Sequence, residues 1–297
     1  MLRWRLLIGA ILVAALAAIC RADARAARPG AYLAPVAFAA SLLAAGEMLR
    51  MGRTRHVAAI PGAIYAATAL PVLASFVPIW RHGASNLEQF GWLAAGLVAG
   101  QAVVLVAEMR SFDQPGGATN SLALGALSVL YVGGLLGTLV QVRLVRSGGS
   151  IVGLTPLATM IAAVKLSDTC QYFVGKSIGR TKLAPRLSPG KTWEGTIGGI
   201  GLAVAIAALG FPALVAAASG ATAGTPLRWA GFTLTVAIAG LVGDLGESLL
   251  KRDAGVKDSS DWLPGFGGVL DLLDSLLLAA PVAYLWWACG GVLATGG

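Results

Sequence analysis

Long apolar stretches, separated by short polar connections, run along the whole chain. A membrane-spanning helix needs about 20 mostly apolar residues, with a range of about 17–25. Nine stretches meet or approach this length, near residues 4–20, 31–49, 57–80, 90–107, 121–142, 150–164, 195–219, 228–243 and 269–290. The pattern therefore predicts an all-α, polytopic integral membrane protein with about nine transmembrane helices joined by polar loops.

Composition supports this prediction and narrows the class of protein. Of the 297 residues, 57% are hydrophobic and 12% are charged, whereas a soluble domain has about 25% charged residues. This excludes an ordinary cytosolic enzyme, a disordered chain and a nucleic-acid-binding protein. Three separated cysteines and two histidines indicate neither a disulfide framework nor a zinc site. The net charge of +8 fits a membrane protein with basic loops.

The distribution of basic residues predicts the orientation of the chain. With nine spans, 15 of the 22 Lys and Arg residues fall on the side of the N-terminus, and the positive-inside rule places that side in the cytoplasm. We therefore expect a multi-pass protein of the inner (cytoplasmic) membrane, with its long polar loops facing the cytoplasm. The first stretch, followed by Ala22-Asp23-Ala24, also resembles a secretory signal, but eight further spans favour a retained helix.

Acidic residues are concentrated in the C-terminal half. Nine of the 14 lie from Asp168 onward. We therefore divide the chain into N-terminal transmembrane scaffold helices, 1–150, and a catalytic transmembrane region, 151–297. Within the first part, Glu47 is expected to be an interfacial acid, and the loop with Arg143 and Arg146 is expected to be solvated surface.

The polar connection 165–194 has features of a phosphate-binding segment. It carries six basic residues, two glycines that permit close backbone approach, and a predicted turn formed by Ser188-Pro189-Gly190-Lys191-Thr192. Backbone N–H groups, hydroxyls and a lysine at the start of a helix are suited to binding phosphate. The spacing is not that of a Walker A loop. The alternative is a basic cytoplasmic loop that only sets the topology.

A second polar segment, 244–275, places ionisable groups on two predicted helices. Asp244, Ser248 and Lys251 share a helix face at i, i+4 and i+7, and Asp271 and Asp274 stand one turn apart at the head of the last apolar run. Ionisable residues in such positions are costly and by default mark a functional site. Acids near cations suit a magnesium–polyphosphate site. The alternative is a salt-bridge network that only holds the loop in place.

These segments together resemble the phosphatidate cytidylyltransferase family, also called CDP-diacylglycerol synthases. Residues 248–275, here called the signature segment, follow the pattern S-x-x-K-R-x4-K-D, then P-G-H-G-G, then D-R-x-D. The upstream Ser167-Asp168-Thr169 and the block from Ser188 to Gly195 resemble the other family block. The likeness covers roughly residues 165–275, and its long, gapped pattern is far more specific than a lone glycine motif.

The resemblance implies transfer of CMP from CTP to phosphatidate, giving CDP-diacylglycerol and pyrophosphate for phospholipid biosynthesis. It implies Mg²⁺ as cofactor and leaves open a second, monovalent cation and a homodimer. The catalytic residues are then Asp244, Lys251, Asp271 and Asp274. The metal ligands are Asp244, Asp271, Asp274 and Asp258. The substrate-binding residues are Ser188, Lys191, Thr192, Ser248, Arg252, Lys257 and Asp168.

The chain departs from the family pattern at two positions. Phe266 replaces the family's histidine and Leu272 replaces its arginine, so a proton carrier and a bidentate phosphate partner are absent. Activity is then reduced, redirected to a related lipid, or supported by another cation such as Arg186. These departures keep two alternatives open: a CTP-dependent lipid-alcohol kinase relative and a degenerate, non-catalytic membrane homologue. A transporter is less favoured because the acids cluster at helix ends.

Overall fold

The computed structural model describes residues 2–80, 84–147, 150–219, 224–262 and 267–292. Within these ranges the chain is almost entirely helical, which confirms the all-α prediction. The helices are α1 (Leu2–Arg25), α2 (Leu33–Thr54), α3 (Pro61–Ala74), α4 (Asn86–Ser111), α5 (Ala118–Leu127), α6 (Leu135–Leu144), α7 (Thr155–Ile178), α8 (Trp193–Ser219), α9 (Pro226–Asp253) and α10 (Val269–Ala288). A 3₁₀ turn, Val77–Trp80, follows α3, and a π-helix, Ser128–Gly134, joins α5 to α6.

Seven helical segments of the described chain are long and apolar enough to cross a membrane. They are Leu33–Thr54, Pro61–Trp80, Asn86–Ser111, Ala118–Leu144, Trp193–Ala217, Pro226–Asp253 and Val269–Ala288. The protein is therefore a multi-pass membrane protein. Each of the nine predicted stretches coincides with a helical segment, although α1 and α7 are not among the seven.

Two predicted polar connections begin later than expected, because the helices before them continue into polar sequence. Helix α7 extends to Ile178 and α9 extends to Asp253. Lys, Glu and Leu are good helix formers even where they are solvated. Helix α9 stops just before Gly255, whose φ of +72° is the left-handed conformation that terminates many helices.

The chain forms two compact units. Unit 1 comprises the residues up to Leu144 together with Leu250–Leu273, and unit 2 comprises Val145–Leu249 and the residues from Asp274 onward. The first boundary lies close to the predicted division at residue 150, but part of the signature segment belongs with the N-terminal helices. The assignment of scaffold and catalytic roles to the two halves stays a prediction.

Unit 1 is built on a tight crossing of α3 and α4. A Cβ added at Gly100 would lie 2.5 Å from the carbonyl oxygen of Ala67, so the glycine lets the two backbones approach closely. Around this crossing lies a buried apolar core of Ala45, Leu49, Ile64, Ala67, Val104 and Val129.

A buried ion pair lies at one end of unit 1. The Arg143 guanidinium Nη2 is 2.7 Å from Asp23 Oδ2, and the two side chains are 5% and 0% exposed. Asp23 also accepts hydrogen bonds from the backbone N–H groups of Gly30 and Tyr32. The expectation that Arg143 lies on a solvated surface is therefore wrong, because a carboxylate distant in sequence compensates its charge.

Unit 2 combines the helical segments with two short hairpins, a detail that the all-α prediction did not contain. Strand β1 (Arg146–Ser147) pairs with β2 (Ser150–Ile151), and β3 (Lys182–Ala184) pairs with β4 (Ser188–Thr192), both antiparallel. A cluster of edge-to-face aromatic contacts packs the helices together, with ring centroids 5.5–6.3 Å apart, formed by Phe211, Trp229, Phe232, Trp286 and Trp287.

Candidate active site

A partly open cavity of about 380 Å³ lies in unit 2. Helices α7 and α9, strand β4 and the first turn of α8 form its walls. Its lining residues are Asp168, Gln171, Tyr172, Gly175, Lys176, Ser188, Gly190, Lys191, Thr192, Gly195, Thr196 and Asp244. Five of the predicted site residues are therefore brought together here: Asp168, Ser188, Lys191, Thr192 and Asp244.

Charged groups of opposite sign meet at this cavity. Lys191 Nζ is 2.5 Å from Asp244 Oδ2, with side chains 20% and 28% exposed, and Lys165 Nζ is 3.6 Å from Asp168 Oδ2. Asp168 lies beyond the predicted span 150–164. Burial raises the pKa of its carboxyl, and the ammonium groups of Lys165 and Lys191 partly oppose this effect. The cavity therefore presents both a cation for phosphate and carboxylates for a metal ion.

Glycines shape the wall of the cavity where α7 crosses α8. A Cβ at Gly195 would lie 2.6 Å from the Gly175 Cα, and a Cβ at Gly199 would lie 2.4 Å from the Gln171 Cα. Side chains at these positions would push the two helices apart. Gly195 and Gly199 have the four-residue spacing that permits close crossings in membranes.

The segment Ser188–Thr192 is strand β4 of a hairpin rather than the predicted turn. It pairs with β3, and the Trp193 N–H donates to the Thr181 carbonyl oxygen at 2.9 Å. The buried Thr192 Oγ1 accepts a hydrogen bond from the Gly195 N–H at 3.1 Å and so caps the start of α8. Its own hydroxyl proton remains available for a ligand oxygen. The hairpin therefore presents Lys191 and Thr192 in an extended conformation.

Two further predicted residues of unit 2 lie on the helices that frame this site. Ser248 is buried on α9. Asp274 lies on α10, where its Oδ1 accepts from the Ser275 hydroxyl at 2.9 Å. A Cβ at Gly243 would lie 2.4 Å from the Asp274 carbonyl oxygen, so α9 and α10 are in close contact one residue before Asp244.

Two predicted residues of unit 1, Lys251 and Asp271, form a second cluster, centred on Asp271. Its Oδ1 accepts from Lys251 Nζ at 2.6 Å, and its Oδ2 accepts from the Ser259 hydroxyl at 2.5 Å and from the backbone N–H groups of Ser259 and Gly268 at 2.8 Å. The side chains of Lys251 and Asp271 are 11% and 10% exposed. Asp271 is therefore held firmly in one orientation.

Three predicted residues stay outside both clusters. Arg252 lies in the last turn of α9, Lys257 and Asp258 lie on the connection after it, and all three are exposed. Arg252 donates to the Val256 carbonyl oxygen at 3.2 Å. In this part of the described chain, no hydrogen bond or ion pair joins Lys257 or Asp258 to Asp271. Of the two departures, Phe266 lies outside the described residues, and Leu272 is half-buried on α10.

Sequence reasoning missed two residues of the unit 1 cluster, Glu47 and Ser259. Glu47, expected at an interface, is 5% exposed and accepts hydrogen bonds from Ser259 Oγ and from the Val269 and Leu270 N–H groups. The available signal was its position as an acid near the end of an apolar span, which by default marks a functional group.

Comparison with known proteins identifies the family. The Cytidylyltransferase family matches residues 4–289. The chain belongs to this family. It is 40% identical over 192 residues to a phosphatidate cytidylyltransferase of Brucella suis, an alignment that covers 65% of this chain and 64% of that relative. The chain thus spans slightly less than two thirds of the length of this relative.

Other relatives show that the likeness extends beyond the signature segment. A Bacillus subtilis phosphatidate cytidylyltransferase is 34% identical over 254 residues, which is 83% of this chain and 85% of the relative. The uncharacterized protein YnbB of Escherichia coli is 43% identical over 128 residues, or 42% of this chain and 40% of its own.

The donor set of this member of the cytidylyltransferase family fits a hard divalent cation whose remaining coordination positions a ligand completes. Among the described residues, no group of three or more His, Cys, Asp or Glu side chains is placed to hold a metal ion. Mg²⁺ does not require such a group, because one or two carboxylates with water and substrate phosphates usually bind it. Asp244 and Asp168, which both line the cavity, supply carboxylates of this kind.

Proposed function

We propose that this protein is a phosphatidate cytidylyltransferase of the bacterial inner membrane. A phosphatidate oxygen attacks the α-phosphorus of CTP. The bond between the α-phosphorus and the oxygen that bridges to the β-phosphate then breaks, so that pyrophosphate leaves and CDP-diacylglycerol forms. The observation that carries the proposal is the unit 2 cavity, in which Lys191 and Asp244 face each other beside hydroxyl-bearing residues. The names of the Brucella and Bacillus relatives support the choice of reaction.

The residues of the cavity suit binding of the triphosphate. Lys191, Ser188 and Thr192 would bind its oxygens, because a lysine and two hydroxyls from one strand supply a charge and directed donors. The attacking phosphate is already anionic near neutral pH, so no strong general base is needed. The main requirement is to bring two anions together, and the ammonium group reduces their repulsion.

Asp244 and Asp168 are the proposed positions for holding Mg²⁺, and a share for Asp274 in the same ion stays a prediction. When bound, the ion would neutralise charge on the phosphates and on the departing pyrophosphate. Two-carboxylate binding also leaves coordination positions for substrate oxygens. Asp271, the other predicted ligand, already accepts from Lys251, and its sharing of one ion with Asp244 stays a prediction, as does a role for Asp258. Lys251, Arg252 and Lys257 are proposed to attract the phosphates of both substrates.

We also propose that the site faces the cytoplasm. The excess of Lys and Arg on one side of the predicted topology supports this orientation. CTP is a soluble nucleotide, and the phosphatidate head group lies at the membrane surface, so both substrates could meet without the lipid leaving the bilayer.

One assay tests the reaction. Detergent-purified protein is given phosphatidate, labelled CTP and MgCl₂, and pyrophosphate and labelled CDP-lipid are measured. The expected result is equal amounts of both products, loss of both with excess EDTA, and loss of both in Asp244→Asn. Asp113→Asn, which changes an exposed loop acid, is the matched control and keeps activity. Release of CDP with a lipid-alcohol acceptor would instead identify a kinase, and no product beside an active relative would overturn the proposal.

The two departures from the family pattern are tested in the same assay. Leu272→Arg restores a cation beside Asp271, and Phe266→His restores a proton carrier. Higher turnover in either variant is expected if the substituted residues limit this protein. Unchanged turnover would show that the chain does not depend on these two groups.

A further inference from the structure

Helix α2, in the N-terminal half, contacts the signature segment directly through a buried carboxylate. Glu47 Oε1 accepts from the Val269 N–H at 2.8 Å and faces the Trp262 Nε1 at 3.4 Å. Glu47 Oε2 accepts from the Leu270 N–H at 2.8 Å and from Ser259 Oγ at 3.0 Å. All these residues belong to unit 1. A single side chain thus contacts both the connection after α9 and the first turn of α10.

Glu47 accepts hydrogen bonds from backbone N–H groups at the start of α10, where a helix has no carbonyl oxygen of its own to accept them. The first N–H groups of α10 have no intrahelical acceptor, and the helix dipole favours a negative charge at this end. Glu47 accepts from two of these donors, and Asp271 accepts from the preceding one, the Gly268 N–H. Two carboxylates therefore share the start of α10.

Ser259 connects the two carboxylates. Its single hydroxyl hydrogen is shared between Asp271 Oδ2, which is 2.5 Å from Oγ, and Glu47 Oε2, which is 3.0 Å from Oγ. The contact is closely packed, because a Cβ at Gly268 would lie 2.2 Å from Glu47 Oε1 and 2.3 Å from Ser259 Oγ. A displacement of Glu47 therefore reaches Asp271 through one hydroxyl group, with no space to absorb it.

We infer that Glu47 is a positioning residue for the proposed reaction: through Ser259 it fixes the orientation of Asp271, and thereby that of the Lys251 ammonium group on the other carboxylate oxygen. The inference rests on the proposed function for its catalytic consequence. The chain of contacts Glu47–Ser259–Asp271–Lys251 gives the N-terminal half a part in the unit 1 cluster rather than a scaffold role alone.

Three variants separate positioning from folding. Glu47→Gln keeps the size of the side chain but turns an amide donor towards groups that are themselves donors. Ser259→Ala removes the connecting hydroxyl and leaves the Glu47 contacts with α10 in place. Arg50→Gln is the matched control, because Arg50 also joins α2 to the same connection, through Asp261 at 2.8 Å, but both side chains are more than half exposed.

The expected kinetic result is a fall in kcat of about 10- to 100-fold in Glu47→Gln and in Ser259→Ala, measured per folded molecule with phosphatidate and CTP at saturation. Arg50→Gln keeps the wild-type kcat. The double variant of Glu47 and Ser259 loses no more than the worse single variant, because both act through one chain of contacts. Wild-type kcat in Ser259→Ala, or losses that multiply in the double variant, would overturn the inference.

A second measurement does not depend on turnover. Hydrogen–deuterium exchange is followed at the Ser259 and Gly268 amides, which donate to Asp271, and at the Val269 and Leu270 amides, which donate to Glu47. Glu47→Gln should accelerate exchange at both pairs, and Arg50→Gln at neither.

The outcomes distinguish this inference from the proposed function. Faster exchange in Glu47→Gln confined to Val269 and Leu270 would make Glu47 only a helix cap and overturn the inference. A wild-type protein that forms no CDP-lipid would refute the proposed function, while the exchange pattern would still decide whether Glu47 orients Asp271. If Glu47→Gln does not fold, Ser259→Ala still decides the case through its kcat.

Discussion

The Lys251–Asp271 ion pair leads to a prediction in which one substitution lowers both stability and turnover, and a second restores the stability alone. In Asp271→Asn, the amide oxygen can replace Oδ2 and keep the three hydrogen bonds from Ser259 and Gly268. The amide nitrogen then faces the Lys251 ammonium, so the ion pair at 2.6 Å is lost. The variant should therefore lose stability mainly because the nearly buried Lys251 ammonium loses this carboxylate partner.

The size of this loss follows from the burial of the pair. Both side chains are about nine-tenths buried, and removing one partner of a buried pair costs about 3 kcal/mol at the lower end of the observed range. At about 2 °C per kcal/mol for a chain of this size, the melting temperature should fall by about 6 °C.

Two measurements test this prediction: thermal melting in detergent and the formation of CDP-lipid. Asp271→Asn should melt at the lower temperature and lose turnover at temperatures where it is folded. Adding Lys251→Met removes the ammonium group that lost its carboxylate partner, so the double variant should regain most of the melting temperature but no activity. A single variant that melts with the wild type, or a double variant no more stable than the single one, would refute this account of the pair.

Three further predictions concern the two units separately. Asp244→Asn should abolish CDP-lipid formation and lower the melting temperature by less than Asp271→Asn does, because the Lys191 and Asp244 side chains are 20% and 28% exposed and water partly compensates the remaining ammonium group; an equal or larger melting shift would contradict this. Asp23→Asn should lower stability by about 3 kcal/mol by leaving Arg143 buried and unpaired, with turnover per folded molecule unchanged; equal melting temperatures would argue against the pair. Gly199→Ala should lower both melting temperature and turnover because its Cβ meets the backbone of α7, whereas Gly201→Ala, which has open space around it, should change neither; equal effects in the two would contradict the close crossing.

The sequence was sufficient to predict the helices because apolar length and local polarity determine them. The family pattern also placed Asp168, Lys191 and Asp244 in one site, and the cavity of unit 2 contains all three. These residues lie in short segments whose residue spacing matches the family pattern, so they could be recognised from the sequence alone.

Contacts between distant segments were not predictable in the same way. Glu47 binds Ser259 across 212 positions, and Asp23 binds Arg143 across 120 positions. Neither pair has a periodic or local signal, because only the packing of helices brings the partners together. The strand Ser188–Thr192 was missed for a related reason: its proline and glycine favour a turn locally, while pairing with β3 extends it.

The glycine-lined crossing of α7 and α8 has a consequence for how the cavity of this protein can change. Part of the cavity wall is backbone at Gly175 and Gly195, and a larger residue at Gly195 would separate the two helices. A change in the shape of the cavity would therefore have to proceed through lining side chains to which no role is assigned, such as Gln171 and Tyr172.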